Sequence, residues 1–241
     1  MNVYTYSSNT QLNEAAAGLI AATLQQKPNA VLGLATGSTP IGVYEKLVEM
    51  YKEGKISFKG ASSFNLDEYV GLPRDHSESY YSFMHHHLFQ HIDLPEDKAL
   101  IPQGNTNHPK EECTRYDQLI QEAGGIDLQI LGIGHNGHIG FNEPADSLSG
   151  ATHVVTLHEE TRKANARFFN SIDEVPTHAI TVGMAAIMKA KCILLLVRGA
   201  DKADIIHKAL NGPITTQCPA SFLQLHPNLI VMTDSEAGRN L

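Results

Sequence analysis

Cysteine is scarce: the 241 residues contain 3, at positions 113, 192 and 218. An odd number with no C-x-x-C pair excludes a disulfide framework and a zinc knuckle, leaving three reduced thiols. Positive charge is short as well, with 18 Lys and Arg against 26 Asp and Glu and a formal charge of -8. No stretch gathers the cations into a stripe, so neither nucleic acid nor an anionic membrane surface is an expected partner. Long apolar runs are missing too. The longest, Cys192 to Val197, falls far short of the ~20 residues that cross a bilayer. The opening MNVYTYSSNT lacks the basic region and apolar stretch of a secretion signal, so the expected location is cytoplasmic. Linkers, low-complexity tracts and internal repeats do not stand out.

What is there is ordinary globular composition, 42% apolar and 18% charged, in which short β-type runs alternate with helical patterns. Strands are predicted at 30–34, 63–66, 128–133, 152–157, 179–182, 192–197 and 229–232. Helices are predicted at 13–26, 77–91, 110–123, 159–169, 183–189 and 200–210, and another after Thr39-Pro40 that carries Tyr44, Leu47, Val48 and Tyr51 on one face. This alternation predicts an α/β fold: one domain over 1–241, a doubly wound, mostly parallel sheet with helices on both faces, Rossmann-like. Cys192 to Val197, apolar on both faces, reads as a central strand. Ligands of such sheets sit beyond the carboxyl ends of the strands, so the segments just after each strand matter most.

Three of those segments carry chemistry. The first, Leu34-Ala35-Thr36-Gly37-Ser38-Thr39-Pro40, turns from a strand into a helix N-terminus, where free N–H groups, hydroxyls and the helix dipole suit a phosphate. No Gly-Lys-Ser/Thr follows, so a nucleoside triphosphate loop is excluded, and a plain turn capped by Ser38 or Thr39 is the alternative. The second, Phe64 to Leu72, delivers the adjacent carboxylates of Asp67 and Glu68. Their repulsion raises the pKa of one and suits it to proton transfer, unless both are solvated in a turn. In the third, Leu131 to Pro144, glycines 132, 134 and 137 match G-x-G-x-x-G, and Glu159 follows at a distance suited to a ribose contact. A dinucleotide site needs a helix to start inside those glycines, and Gly140, Asn142 and Pro144 break one, so a functional loop is predicted instead. His138 and Glu143 give that loop a titratable pair near neutral pH.

Other candidates are weaker. His87 and His91 are one helical turn apart beside His85 and His86, yet no Asp, Glu or Cys there completes a metal site. Arg162, Lys163 and Arg167 ride one predicted helix as a solvated face would. Lys202 sits in a first helical turn after Gly199, where a cation opposes the helix dipole unless an anion lies nearby.

The strings LGLATGSTP, FNLDEYVGL and LGIGHNGHIGFNEP, with RKANARFF and RGADKADII after them, resemble glucosamine-6-phosphate deaminases over roughly 31–232. The related 6-phosphogluconolactonases share the G-x-G-x-x-G-H loop but not FNEP or NLDEYVGL, and are the nearest alternative. A sugar-phosphate-sensing domain without activity, or a dinucleotide-dependent reductase, stands further off. The resemblance implies hydrolytic deamination and aldose-ketose isomerisation of glucosamine 6-phosphate to fructose 6-phosphate and ammonia, in amino-sugar catabolism, with no cofactor and no metal. By the same resemblance His138 is the acid/base for ring opening, Asn136 and Glu143 hold it, and Asp67 carries the proton between C2 and C1. Gly37, Ser38 and Thr39 hold the phosphate with Arg167 and Lys202, while Glu68 and Gly137 complete the substrate contacts.

The implied partner is a small sugar phosphate, with monomer and homo-oligomer both open. Longer relatives are hexamers activated by N-acetylglucosamine 6-phosphate through basic side chains just after FNEP and a longer C-terminal tail. Here 145–155 holds no Lys or Arg and the sequence ends at Leu241, which implies a short form with hyperbolic kinetics. Many members carry Asp where this chain has Asn136, so His138 is left with one carboxylate, Glu143, and an amide oxygen to fix its tautomer.

Overall fold

Two β-sheets of different character organise the chain, and the cleft described below lies where they meet. The computed structural model describes residues 1–241 apart from the side chain of Phe168. A short strand β1 (Asn2–Tyr6) leads into α1 (Asn9–Gln26), whose first turn is capped by Ser8 accepting from the Gln11 N–H. Its alanine-rich face, with Leu12, Ile20 and Leu24, is buried. Next come β2 (Val31–Leu34), α2 (Ile41–Lys52), β3 (Ser62–Asn65), β4 (Asp67–Tyr69), α3 (Tyr80–His87) and β5 (Ala99–Leu100). The second half runs through α4 (Pro109–Glu122), β6 (Leu128–Leu131), β7 (His153–Thr156), α5 (Glu159–Asn165), β8 (His178–Thr181), α6 (Met184–Met188), β9 (Cys192–Val197), α7 (Ala203–Asn211) and β10 (Leu229–Asp234).

The larger sheet has 7 strands in the order β1-β10-β9-β6-β2-β3-β5, and all its pairings are parallel. This is the doubly wound α/β fold that the sequence predicts. From β1 through β2 and β3 to β5 the chain steps one way across the sheet, and from β5 through β6 and β9 to β10 it steps back. Right-handed crossovers therefore put α1, α2 and α3 over one face and α4, α6 and α7 over the other. Contacts of α2 with both α1 and α3 accord with that placement. β2 feeds a crossover in one direction and its neighbour β6 feeds one in the other, so the crevice of the sheet opens between their carboxyl ends. β9, buried along almost its whole length between β6 and β10, is the central strand expected from its sequence.

Other expectations change. The strands predicted at 152–157 and 179–182 form as β7 and β8, but they belong to a separate 3-stranded antiparallel sheet ordered β4-β8-β7. Asp67 pairs with Thr181, and His153 pairs with the same residue from the other side. The reason is visible in composition: β7 is only partly buried and carries His153 and Thr156, whereas a central parallel strand is covered on both faces. β4 escaped prediction because Asp-Glu-Tyr offers no apolar alternation, and β1 because four of its five residues are exposed along a sheet edge. The predicted helix 159–169 is α-helical only to Asn165, then closes in a 3-10 turn through 166–168. Tyr69, Phe141, Leu157 and Ala179 make a second small core under the antiparallel sheet. Among the described residues no helix is long and apolar enough to cross a membrane.

Candidate active site

A cleft of about 400 Å³ opens at the carboxyl edge of the parallel sheet, between the segments that follow β2 and β6. Its floor is set by β2. Tyr44 of α2, wholly buried, donates its hydroxyl to the Ala35 carbonyl at 2.6 Å and fixes where the chain leaves the strand. Gly37 then turns with φ +94, a conformation that side-chain-bearing residues rarely adopt. Pro40 stands at the start of α2 and no side chain caps that end. Ser38 and Thr39 line the cleft instead of capping the helix, so the first turn presents backbone N–H groups and hydroxyls to a ligand.

Cations face this turn. Lys202 and Arg167 both line the cleft, and Arg167 lies close enough to oppose the charge of Lys202. Burial pushes the Lys202 pKa down, and the nearby Asp201 works against that. Arg198, just after β9, donates from Nη1 to the Thr39 carbonyl at 3.1 Å and to Asn13 at 3.2 Å. Arg198 is a cleft residue that sequence reasoning missed, although it follows directly on the apolar run 192–197. Three positive side chains and a helix N-terminus in one cleft are a receptor for a dianion.

The other side of the cleft holds acid/base groups. In β4, Asp67 turns into the cleft while buried to 6% exposure, and no donor among the described residues bonds its carboxyl. Burial, with the Glu68 carboxylate adding to it, pushes the Asp67 pKa up to about 8. His138 lies on the loop after β6 and is fixed from behind. Its Nδ1 is 2.8 Å from Asn136 Oδ1 and 3.3 Å from Glu143 Oε2, while Asn136 Nδ2 donates to that same Oε2 at 2.7 Å. An amide oxygen only accepts, so Nδ1 carries the proton and Nε2 is the free acid/base nitrogen. Thr161 of α5 donates its hydroxyl to the remaining oxygen of Glu143. Burial alone would raise the Glu143 pKa, but His138, Thr161 and Asn136 outweigh it and hold the carboxyl at about 2. Gly134 supplies the space, because a Cβ there would lie 2.1 Å from the imidazole.

Of the predicted site residues, Gly37, Ser38, Thr39, Asp67, Asn136, His138, Arg167 and Lys202 line this one cleft, and Glu143 stands behind His138. Two do not. Glu68, next to Asp67 on a strand, points to the opposite face. It accepts from the backbone N–H groups of Tyr69, Tyr80 and Tyr81 at 2.8 to 3.0 Å and so caps α3. Gly137 turns with φ +89 away from the cleft lining and packs where a Cβ would lie 2.6 Å from Cys218 Sγ. The G-x-G-x-x-G glycines begin no helix: β6 ends at Leu131 and a loop runs to β7. His85, His86, His87 and His91 lie off the cleft, and among the described residues no three His, Cys, Asp or Glu side chains converge as metal ligands.

Comparison with known proteins places this geometry. The sequence model of the family described as glucosamine-6-phosphate isomerases/6-phosphogluconolactonase matches residues 7–231. The glucosamine-6-phosphate deaminase of Bacillus pumilus (strain SAFR-032) is 53% identical over 238 residues, covering 99% of either chain. A solved structure described as a monomeric glucosamine-6-phosphate deaminase, a missing link of the NagB superfamily, superposes with a TM-score of 0.97 at 46% identity, over 100% of both chains. The 6-phosphogluconolactonase of Trypanosoma brucei, at 19% identity and a TM-score of 0.76 over 100% of this chain and 98% of that one, shares the fold alone.

Proposed function

The chain belongs to the family of glucosamine-6-phosphate isomerases and 6-phosphogluconolactonases, and we infer from it and from the cleft that this enzyme is a glucosamine-6-phosphate deaminase. It converts glucosamine 6-phosphate and water to fructose 6-phosphate and ammonia. The observation that carries the reading is the unbonded, buried carboxyl of Asp67 in the same cleft as the backed imidazole of His138. A carbon acid next to a carbonyl-level carbon needs such a base, and a closed pyranose needs an acid/base to open it.

In the reaction the phosphate is bound by the Gly37-Ser38-Thr39 turn with Arg167 and Lys202, and Arg198 holds the turn in place. His138 Nε2 takes the proton of the C1 hydroxyl as the C1–O5 bond breaks and delivers a proton to O5. Glu143, ionised at neutral pH, balances the imidazolium that forms between these transfers. Asp67 then removes the proton from C2 while O1 takes a proton from the C2 ammonium, which gives the enolamine, and Asp67 returns its proton to C1, leaving an iminium at C2. Water adds to that carbon and ammonia leaves. Asp67 must be ionised to act, and the substrate's C2 ammonium favours that state by opposing its charge. The proton held by Asp67 in the free enzyme leaves as the cationic substrate docks.

The superposable relative described as monomeric, matched over 100% of both chains, supports a site complete in a monomer, with the whole of 1–241 acting as one catalytic unit. A sugar phosphate as substrate supports a cytoplasmic location. The test is a paired assay of the purified protein with glucosamine 6-phosphate and with 6-phosphogluconolactone. Ammonia release from the first and no accelerated hydrolysis of the second is the expected result, and the reverse overturns the assignment.

A further inference from the structure

The carboxylate of Glu143 is held from two separate parts of the chain, one to each oxygen. Oε2 accepts from Asn136 and faces His138, both on the loop after β6, while Oε1 accepts from Thr161, buried on α5. The same α5 segment forms one wall of the cleft through Glu160, Thr161, Ala164 and Asn165, and the turn that ends it carries Arg167. We propose that Thr161 is a positioning residue: its hydroxyl locks the rotation of the Glu143 carboxylate, so that the orientation of His138 depends on the seating of the segment that presents Arg167 to the phosphate.

Several features of the structure support this. The terminal torsion of a glutamate is broad and roughly two-fold, so burial alone does not choose which way the carboxylate faces. An alternative partner is close at hand, because His158, just before α5, has its Nδ1 3.7 Å from Oε2. The titratable groups facing Glu143 are therefore His138 from the β6 loop and His158 from the approach to α5. Without the Thr161 hydroxyl, Oε1 loses the donor that holds it, and the carboxylate is free to turn from Asn136 and His138 toward His158. The segment itself is tied down independently of Glu143. Asn165 donates to the Tyr69 hydroxyl at 2.9 Å, and Arg162 donates to the carbonyls of Ile172 and Val175 at 2.9 and 3.1 Å. Loss of the hydroxyl thus acts on Glu143 and leaves the wall in place.

The inference rests on the deaminase reading, and the unsubstituted enzyme in the same assay tests that reading separately. Thr161→Val keeps the shape of the side chain and removes the donor, while Thr161→Ser keeps the donor. The valine variant is expected to lose about 10- to 100-fold in kcat, the scale for a misplaced catalytic group, with KM and inorganic phosphate affinity within about twofold. Serine is expected to restore kcat to within about threefold of the original, since a hydroxyl of either residue can donate to the carboxylate. Should the valine variant not fold, Thr161→Ala against Thr161→Ser makes the same comparison. Equal impairment of the serine and apolar variants, or an unchanged kcat in the apolar variant, overturns the proposal. An unsubstituted enzyme that releases no ammonia overturns the functional reading instead.

Discussion

Asp67 and Glu68 are neighbours in sequence and leave β4 on opposite faces, Asp67 into the cleft with no bonded donor and Glu68 onto three backbone N–H groups, that of Tyr69 in β4 and those of Tyr80 and Tyr81 at the start of α3. The two carboxylates therefore have separable tasks. Asp67→Asn is expected to remove turnover by at least about a thousandfold while leaving phosphate-ligand affinity within a few-fold, because the base is lost and the anion site is not. Glu68→Gln is expected to retain turnover within about tenfold but to lower Tm. Leaving buried donors unsatisfied costs about 1–3 kcal/mol, and each kcal/mol is worth about 2–4 °C at this chain length. Activity assays and calorimetry on both variants check the division, and an inactive Glu68→Gln of unchanged Tm contradicts it.

The raised pKa of Asp67 fixes the sign of a pH effect on stability. The folded protein keeps this proton up to about pH 8 against a reference value of 3.8, so it binds more protons than the unfolded chain between those values. The stabilisation is full below the lower value and is lost as pH rises through the upper one. Relative to Asp67→Asn, the unsubstituted enzyme is expected to lose Tm progressively from pH 5 to pH 9. Turnover should move the other way, with kcat/KM rising as Asp67 ionises near pH 8 and the corresponding limb of kcat lying lower, because bound ammonium favours the carboxylate. A Tm difference independent of pH contradicts the assignment of that proton.

Removing one cation should separate binding from chemistry. Lys202→Met is expected to raise KM by about 10- to 100-fold, the worth of one charge-assisted hydrogen bond, with a smaller change in kcat. Arg198→Ala removes the donor to the Thr39 carbonyl and should weaken phosphate binding in the same direction through the position of the turn. Initial-rate kinetics on both variants check this, and a KM unaffected in Lys202→Met contradicts the assignment of the anion end.

Regulation is a further point of test. The stretch 145–155 contains Asp146 and no Lys or Arg, so an anionic effector there meets no fixed cation. Saturation curves are expected to be hyperbolic and unaltered by N-acetylglucosamine 6-phosphate. Sigmoidal curves that become hyperbolic on its addition contradict the expectation.

Much of the site was legible because strand-end segments of a doubly wound sheet declare themselves: apolar runs at 30–34 and 128–133 end in glycine-rich turns, and the cleft lies between them. The separate fates of Asp67 and Glu68 were not legible, since two carboxylates and a tyrosine do not announce a strand and only the strand sends adjacent side chains to opposite faces. The antiparallel sheet was hidden for a related reason. Its strands β7 and β8 read as members of the alternating pattern, and pairing direction is set by contacts far apart in sequence, Asp67 and His153 with Thr181. Thr161 was invisible as a partner of Glu143 because 18 residues separate them and a threonine among the charged residues of a short helix carries no signal of its own.

The most direct measurement is the stoichiometry of the reaction in EDTA, with glucosamine 6-phosphate as the only substrate and Asp67→Asn as the control. Ammonia and fructose 6-phosphate are expected in equal amounts from the unsubstituted enzyme and not from the variant. Unequal yields, turnover by the variant, or activity lost to EDTA and restored by a divalent metal contradicts a reaction run by Asp67 and His138.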